Sequence, residues 1–331
     1  MELDIINDSQ KSTAKSESLI RTPSLPLISY KGQDKLALFF LRFCALSIFA
    51  ILVLMIGLLF KMAMPAISMF GLDFITSSDW NPVEDQFGGL AFIYGTVTTS
   101  FLALIIATPL SIAMAIFISQ ILKGALSKVV SMIVELIAAV PSIVFGLWGL
   151  FYLAPWVKST LTPFLKNTLG FLPQFQGPSF GIGILSASII LAIMITPTIT
   201  SIVREIFNSV PQIRKEAALG LGATKYEMIR IAVLRPSLSG ILGAVVLGLG
   251  RALGETMAVA MIIGNNPTIS KSLFSPGATM ASVIANEYAE AEGDLHLSAL
   301  CYIALILFAI TFIVNLAART IIWHNNRRSQ K

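Results

Sequence analysis

Long apolar runs separated by short polar segments set the architecture of the chain. The runs fall at roughly residues 36–60, 90–121, 129–155, 181–203, 237–263 and 296–322. Each is near or above the roughly 20 residues an α-helix needs to cross a hydrocarbon core, so the pattern predicts six transmembrane helices. Residues 1–35 carry Ser, Thr, Lys, Asp and Pro without apolar periodicity and read as a mobile tail, with a second short tail over 323–331. The first apolar run continues to about Met64, longer than a signal-peptide core, and acidic as well as basic residues precede it. It therefore reads as a retained helix over 36–64.

One polar stretch interrupts this pattern in an informative way. Between the fourth and fifth runs, Glu216-Ala217-Ala218-Leu219-Gly220-Leu221-Gly222-Ala223-Thr224 is polar and helix-forming, placed where a membrane protein exposes a loop. Ser209 with Gln212, and Thr224 with Glu227, have the Ser/Thr-x-x-Gln/Glu spacing that satisfies orphan N–H groups at a helix start, with Pro211 in a first turn. Gly220 and Gly222 allow a sharp turn between the two helices so capped, and Pro236 is expected to break the pattern again. Helix, turn, helix is the expectation over 204–236, and a docking handle for a soluble partner is one use for it. Capping alone is equally compatible with an ordinary polar loop.

Composition adds the class and the orientation. The chain has 331 residues, 55% of them hydrophobic and 12% charged, with a mean hydropathy of +0.81, which is too apolar for a soluble fold. Its net charge of +5 comes from basic residues spread over loops beside the spans, without an aromatic-interleaved patch, so nucleic acid is not an expected partner and positive-inside topology accounts for them. Lys11, Lys15, Arg21, Lys31, Lys35 and Arg42, then Lys123 and Lys128, then Arg204, Arg214, Lys215, Lys225, Arg230 and Arg235, and finally Arg319, Arg327, Arg328 and Lys331 fall on one side. Only Lys61, Lys158, Lys166 and Lys271 fall on the other. Both termini and the Glu216 loop are expected in the cytoplasm. The opposite loops are acidic, with Asp73, Asp79, Glu84 and Asp85 in one and Glu287, Glu290, Glu292 and Asp294 in the last. Cys44 and Cys301 lie inside apolar runs, and His296 and His324 lack ligand spacing, so no disulfide or metal site is indicated.

Three ionisable residues fall within the spans: Glu135, Arg251 and Glu255. Each is costly in hydrocarbon and should face the protein interior or water. Arg251 and Glu255 are four apart, which on a continuous helix puts them on one face within reach of each other. The pair reads either as a self-satisfied structural clasp or as a gate that exchanges partners, exposing an arginine fork suited to phosphate oxygens. Gly240, Gly243, Gly248, Gly250 and Gly254 make this fifth run small over much of its surface, and it is the expected packed centre of the bundle. Pro109, Pro141 and Pro197 lie inside the second, third and fourth runs, where each invites a kink or break.

These motifs carry a resemblance. Glu216, Ala217, Ala218 and Gly222 resemble the EAA loop of ABC-transporter permeases, although the closing Ile-x-Leu-Pro of that pattern falls here on Ala232, Leu234 and Arg235, with Pro236 one position late. Arg251-Ala252-Leu253-Gly254-Glu255-Thr256-Met257-Ala258-Val259 is similar to the signature of the C-type permease subunit of the high-affinity phosphate (Pst) ABC transporter. Tyr94-Gly95-Thr96, Ala139-Val140-Pro141-Ser142 and Gly146-Leu147-Trp148-Gly149 are similar to it as well, and the likeness covers roughly 88–322. It implies an all-α polytopic fold with an importer-permease core of the MetI-like kind and an extra N-terminal helix. It also implies a sister permease of related fold, two copies of an ATPase docked at the Glu216–Gly222 coupling loop, a periplasmic phosphate-binding protein, and a bacterial inner-membrane location. Arg251 and Glu255 would be the pathway residues.

A secondary carrier or channel is the rival class, but the chain lacks the intramembrane series of carboxylates or histidines that ion coupling uses. A permease for another oxyanion, sulfate or molybdate, shares every feature that the residues themselves show, and a membrane scaffold without transport is a further alternative. No GxxxxGK[ST] phosphate loop is present, so the chain is expected to bind no cofactor and to rely on a partner for ATP hydrolysis.

Overall fold

The computed structural model describes residues 31–329; of the expected tail over 1–35, residues 1–30 lie outside them, and residues 31–35 are helical rather than tail. In chain order the helices are α1 Lys31–Phe70, α2 Leu90–Ile121, α3 Gly124–Ala138, α4 Ser142–Leu169, α5 Ile184–Asn208, α6 Gln212–Gly220, α7 Lys225–Leu253, α8 Met257–Ile262, α9 Met280–Glu287 and α10 Asp294–Ser329. Five of them are long and apolar enough to cross a membrane, and the pair α3–α4, bent by 87°, passes the same test when taken together, which makes six if the two form one span. The backbone of the expected C-terminal tail is helical as far as Ser329.

Residues up to Met55 form one unit and those from Ile56 a second. In the first, Phe39, Leu46, Phe49 and Leu54 are exposed, as suits a helix wall against lipid. The second unit holds the core. There α5 packs most extensively against α2, then against α7, and it is the most deeply buried of the long helices. The expectation that the fifth run forms the packed centre is therefore corrected in favour of the fourth. The reason lies in hydroxyls as much as in glycines. Ser111 Oγ on α2 donates to the Thr196 carbonyl at 3.1 Å, and Thr200 Oγ1 on α5 donates back to the Ser111 carbonyl at 3.5 Å, so polar side chains join two helices where no water competes.

The glycines of α7 have the supporting role of admitting α5. A Cβ at Gly240 would meet Ile206 Cδ1 at 2.9 Å, and one at Gly248 would meet Ile199 Cδ1 at 2.6 Å. Gly243 has open space around it and contributes no such approach.

The prolines do not act alike. Pro109 and Pro197 sit inside unbroken helices, whereas at Pro141 the chain bends by 87° between α3 and α4. Pro236 does not break the chain, contrary to the expectation for the loop. A π-helical turn over Ile229–Leu234 precedes it, and the looser hydrogen-bond register of that turn absorbs the missing donor. The fifth span consequently starts at Lys225 and ends at Leu253, with the expected remainder up to 263 forming the separate short helix α8. Beyond residue 155 α4 continues as helix to Leu169.

Candidate functional site: the Arg251 break and the Glu216 loop

Arg251 lies in the last turn of α7, where a cation is favoured by the carbonyl end of the helix. Its Nη1 donates to Thr198 Oγ1 on α5 at 2.9 Å. Glu255 is not its partner. The α7 helix stops at Leu253, so the four-residue spacing no longer puts the two side chains on one face. Glu255 Oε1 instead accepts from the Ala258 N–H at the start of α8, at 3.4 Å. Among the described residues the ion pairs are Glu135 with Arg204 and Arg204 with Glu205, while Glu287 lies beside the His296 ring. The expected Arg251–Glu255 clasp is thus corrected: a half-buried guanidinium meets a neutral hydroxyl, and the carboxylate caps the next element.

The chain after the break is seated on the short motifs around Gly95 and Gly146–Gly149. Tyr94 Oη donates to the Ser270 carbonyl at 3.3 Å. Thr96 Oγ1 accepts from the Met280 N–H at 2.9 Å, and a Cβ at Gly95 would lie 2.0 Å from the Ala278 carbonyl oxygen. Gly146 and Gly149 of α4 make the same kind of room for α8, with Met261 Sδ 2.8 Å from a Cβ at the first and Ile262 Cδ1 3.0 Å from one at the second. Tyr94-Gly95-Thr96 and Gly146-Leu147-Trp148-Gly149 are therefore surfaces on which the segment following Arg251 and Glu255 rests.

Glu135 acquires a partner that sequence reasoning missed. Arg204 was read as a loop residue, but it lies on α5, and its Nη2 donates to Glu135 Oε1 on α3 at 2.8 Å. The arginine side chain is 13% exposed and the glutamate 56%, and Arg204 Nε is buried without a hydrogen-bond acceptor. The pair ties the helix before the Pro141 bend to the helix that leads into the Glu216 loop.

In that loop, Thr224 and Glu227 form the expected capping box, with Thr224 Oγ1 accepting from the Glu227 N–H at 3.3 Å and Glu227 Oε2 accepting from the Thr224 N–H at 2.8 Å. The other expected box is absent. Pro211 occupies the N-cap of α6 without a side-chain bond, and Ser209 Oγ donates back to the Ile206 carbonyl at 2.8 Å. Gly222 ends α6 with φ of 86°. The Ala223 N–H reaches the Ala218 carbonyl at 3.1 Å and the Gly222 N–H the Leu219 carbonyl at 2.9 Å, the paired bonds of a Schellman ending, which places glycine where the backbone is left-handed. A Cβ at Gly222 would meet nothing within 4 Å, so conformation rather than crowding requires glycine there. Glu216 and Ala217 are exposed, and Ala218 is half-buried against the core. Beside them Ile213 is 73% exposed, Tyr226 72% and Leu221 91%. Apolar residues standing in a charged loop were the available signal for these three.

The two acidic segments also converge. Asp85, Glu287, Glu290 and Glu292 line one open cleft of about 550 Å³ together with His296. Glu287 Oε2 lies 3.0 Å from His296 Nε2 and accepts from Trp80 Nε1 at 3.0 Å, so His296 is tied into this cluster.

Comparison with known proteins places this arrangement in a family. Residues 107–328 match the binding-protein-dependent transport system inner membrane component family. The phosphate transport system permease protein PstC of Mesorhizobium japonicum is 47% identical over 275 residues, covering 82% of this chain and 84% of that protein. The chain belongs to the PstC permease family. A PstC from Haemophilus influenzae is 41% identical, covering 88% of this chain and 95% of that one. Among solved structures, a chain of a bacterial alginate ABC transporter in complex with an alginate pentasaccharide-bound periplasmic protein superposes with a TM-score of 0.59 at 17% identity, covering 92% of this chain and 98% of that chain. That likeness shows a shared permease fold. A PstC-family chain with these apolar helices is a multi-pass integral membrane protein, and it is a transport subunit rather than an enzyme.

Proposed function

We propose that this PstC-family chain is the membrane-spanning permease subunit of an ATP-driven importer that moves inorganic phosphate delivered by a periplasmic binding protein. It sits in the bacterial inner membrane with both termini in the cytoplasm, beside a sister permease of related fold. Two ATPase subunits dock at the Glu216–Gly222 loop, where Ile213, Leu221 and Tyr226 offer apolar contact, and they hydrolyse ATP. This chain binds no cofactor of its own. Phosphate passes by Arg251 and Glu255.

The observation that carries the reading is Arg251, a half-buried guanidinium whose recorded partner is the neutral Thr198 hydroxyl. A charge held in this way keeps donors for an anion, and a planar fork matches tetrahedral oxyanions. The decisive experiment reconstitutes the full complex in vesicles and follows radiolabelled phosphate with and without ATP and the binding protein. ATP-dependent phosphate uptake is expected, lost in Arg251→Gln. Preferential uptake of sulfate or molybdate would sink the substrate assignment. Single cysteines near Asn81, Asn167 and Glu290 should label from outside, and near Ser127 and Ala223 only from inside. Labelling of Ala223 from outside would reverse the topology.

A further inference from the structure

Arg251 is aimed by a residue 53 positions away in the chain. Thr198 follows Pro197 on α5, the most deeply buried of the long helices. Its neighbours Thr196 and Thr200 are locked to Ser111 of α2 by hydroxyl–carbonyl bonds. The backbone that carries the Thr198 hydroxyl is thereby held in place, and the β-branch leaves its χ1 only two common helical rotamers. Arg251 is the opposite kind of group, a long side chain in the last turn before the helix stops at Leu253. One bond from Nη1 to the threonine oxygen therefore fixes the head group of a flexible side chain against a rigid wall.

The chemistry of that bond matters as much as its position. A carboxylate would aim the guanidinium and cancel its charge. A hydroxyl aims it and leaves the charge, together with the remaining N–H donors, for another partner. Among the described residues no carboxylate forms an ion pair with Arg251, and Glu255 is turned to the Ala258 N–H.

We infer that Thr198 is a positioning residue for anion passage: it holds the Arg251 fork in the geometry that meets a tetrahedral oxyanion without neutralising it. The inference rests on the pathway reading of Arg251 given above. It assigns a role to α5 that neither the helix-face spacing of Arg251 and Glu255 nor the loop motif contains.

The test uses the assembled complex in vesicles, with phosphate uptake expressed per complex. Thr198→Val removes the hydroxyl and keeps the shape, and uptake should fall about tenfold, the size of one charge-assisted hydrogen bond. Thr198→Ser should restore most of it. In an Arg251→Lys background, where the fork is already lost, Thr198→Val should cost less than about twofold more, because a residue acting through Arg251 has nothing left to position. An equal loss in both backgrounds would show independent action and overturn the inference. Normal uptake in Thr198→Val with impaired Arg251→Lys would overturn it while leaving the pathway reading intact. Full uptake in both Arg251→Lys and Arg251→Gln would remove the pathway reading itself. Thr198→Ala gives the same comparison with a smaller side chain, and failure of both Val and Ala variants to assemble would assign Thr198 to packing and overturn the proposal.

Discussion

The Glu216 loop and the Arg251 break are both places where a helix stops, yet they stop by different means. At Gly222 the chain finishes α6 with bonds that reach back only to Leu219 and Ala218 and starts α7 with a box closed within Thr224–Glu227. The hydrogen bonds that close this turn all run between near neighbours in sequence, and the apolar side chains Ile213, Leu221 and Tyr226 stay outside. At Leu253 the chain is answered from far away. Arg251 leans on Thr198, α8 rests on Gly146 and Gly149, and the strand of loop beyond it rests on Gly95 and Thr96. A locally closed turn can be presented to a partner as a rigid module. A break held by distant helices changes whenever those helices move, which suits a passage that must open and close.

The largest effect is expected where the break meets its seat. At Gly95→Ala the new Cβ would lie 2.0 Å from a backbone carbonyl oxygen that cannot rotate away. The cost should reach the upper end of the roughly 1–3 kcal/mol typical of overpacking. The yield of monodisperse protein in detergent and its Tm measure it. Gly243→Ala is the matched control, because that position is helical with nothing within 4 Å, and alanine there should be neutral or better by up to about 1 kcal/mol. Similar behaviour of the two variants would contradict the seat at Gly95.

A middle-sized effect is expected in the loop, and it should fall on coupling rather than folding. Gly222→Val forces a β-branched residue to φ near 86°, a strain of roughly 1–2 kcal/mol, and the local relief is to unwind the end of α6. The complex should assemble while the ATP hydrolysis stimulated by loaded binding protein drops severalfold. Gly222→Asn should do less harm, since asparagine tolerates the left-handed region. Normal uptake in the valine variant would remove this loop from ATPase docking.

The same division decides what could be read from the sequence. The loop was legible where capping depends on spacing within a few residues, as at Thr224 and Glu227. It failed at Ser209, because Pro211 takes the cap position and the serine hydroxyl turns back to Ile206. Six apolar runs predicted the spans well, but their periodicity carried no sign of the π-helical turn at Ile229–Leu234, which is why Pro236 looked like a breaker. Arg204 was misassigned to the loop because its partner Glu135 is 69 residues away. Arg251 and Glu255 were found as charged residues in an apolar run, but pairing them assumed a helix that Gly254 interrupts. Residue types and places were written in the sequence, and partners across the bundle were not.

The smallest expected effect separates the two accounts of Arg251 most sharply. Were it clasped to Glu255, Arg251→Gln would leave a half-buried carboxylate uncompensated, and adding Glu255→Gln would restore much of the stability. The structure gives the two side chains different partners, Thr198 for one and the Ala258 N–H for the other. Their effects on the Tm of the assembled complex should then add to within about 0.5 kcal/mol, as they do for residues that share no partner. Transport should not be rescued either, since the double variant still lacks the guanidinium fork. Recovery of both stability and uptake in Arg251→Gln/Glu255→Gln would re-establish the clasp, and with it the view that the break at Gly254 is closed from within rather than by α5.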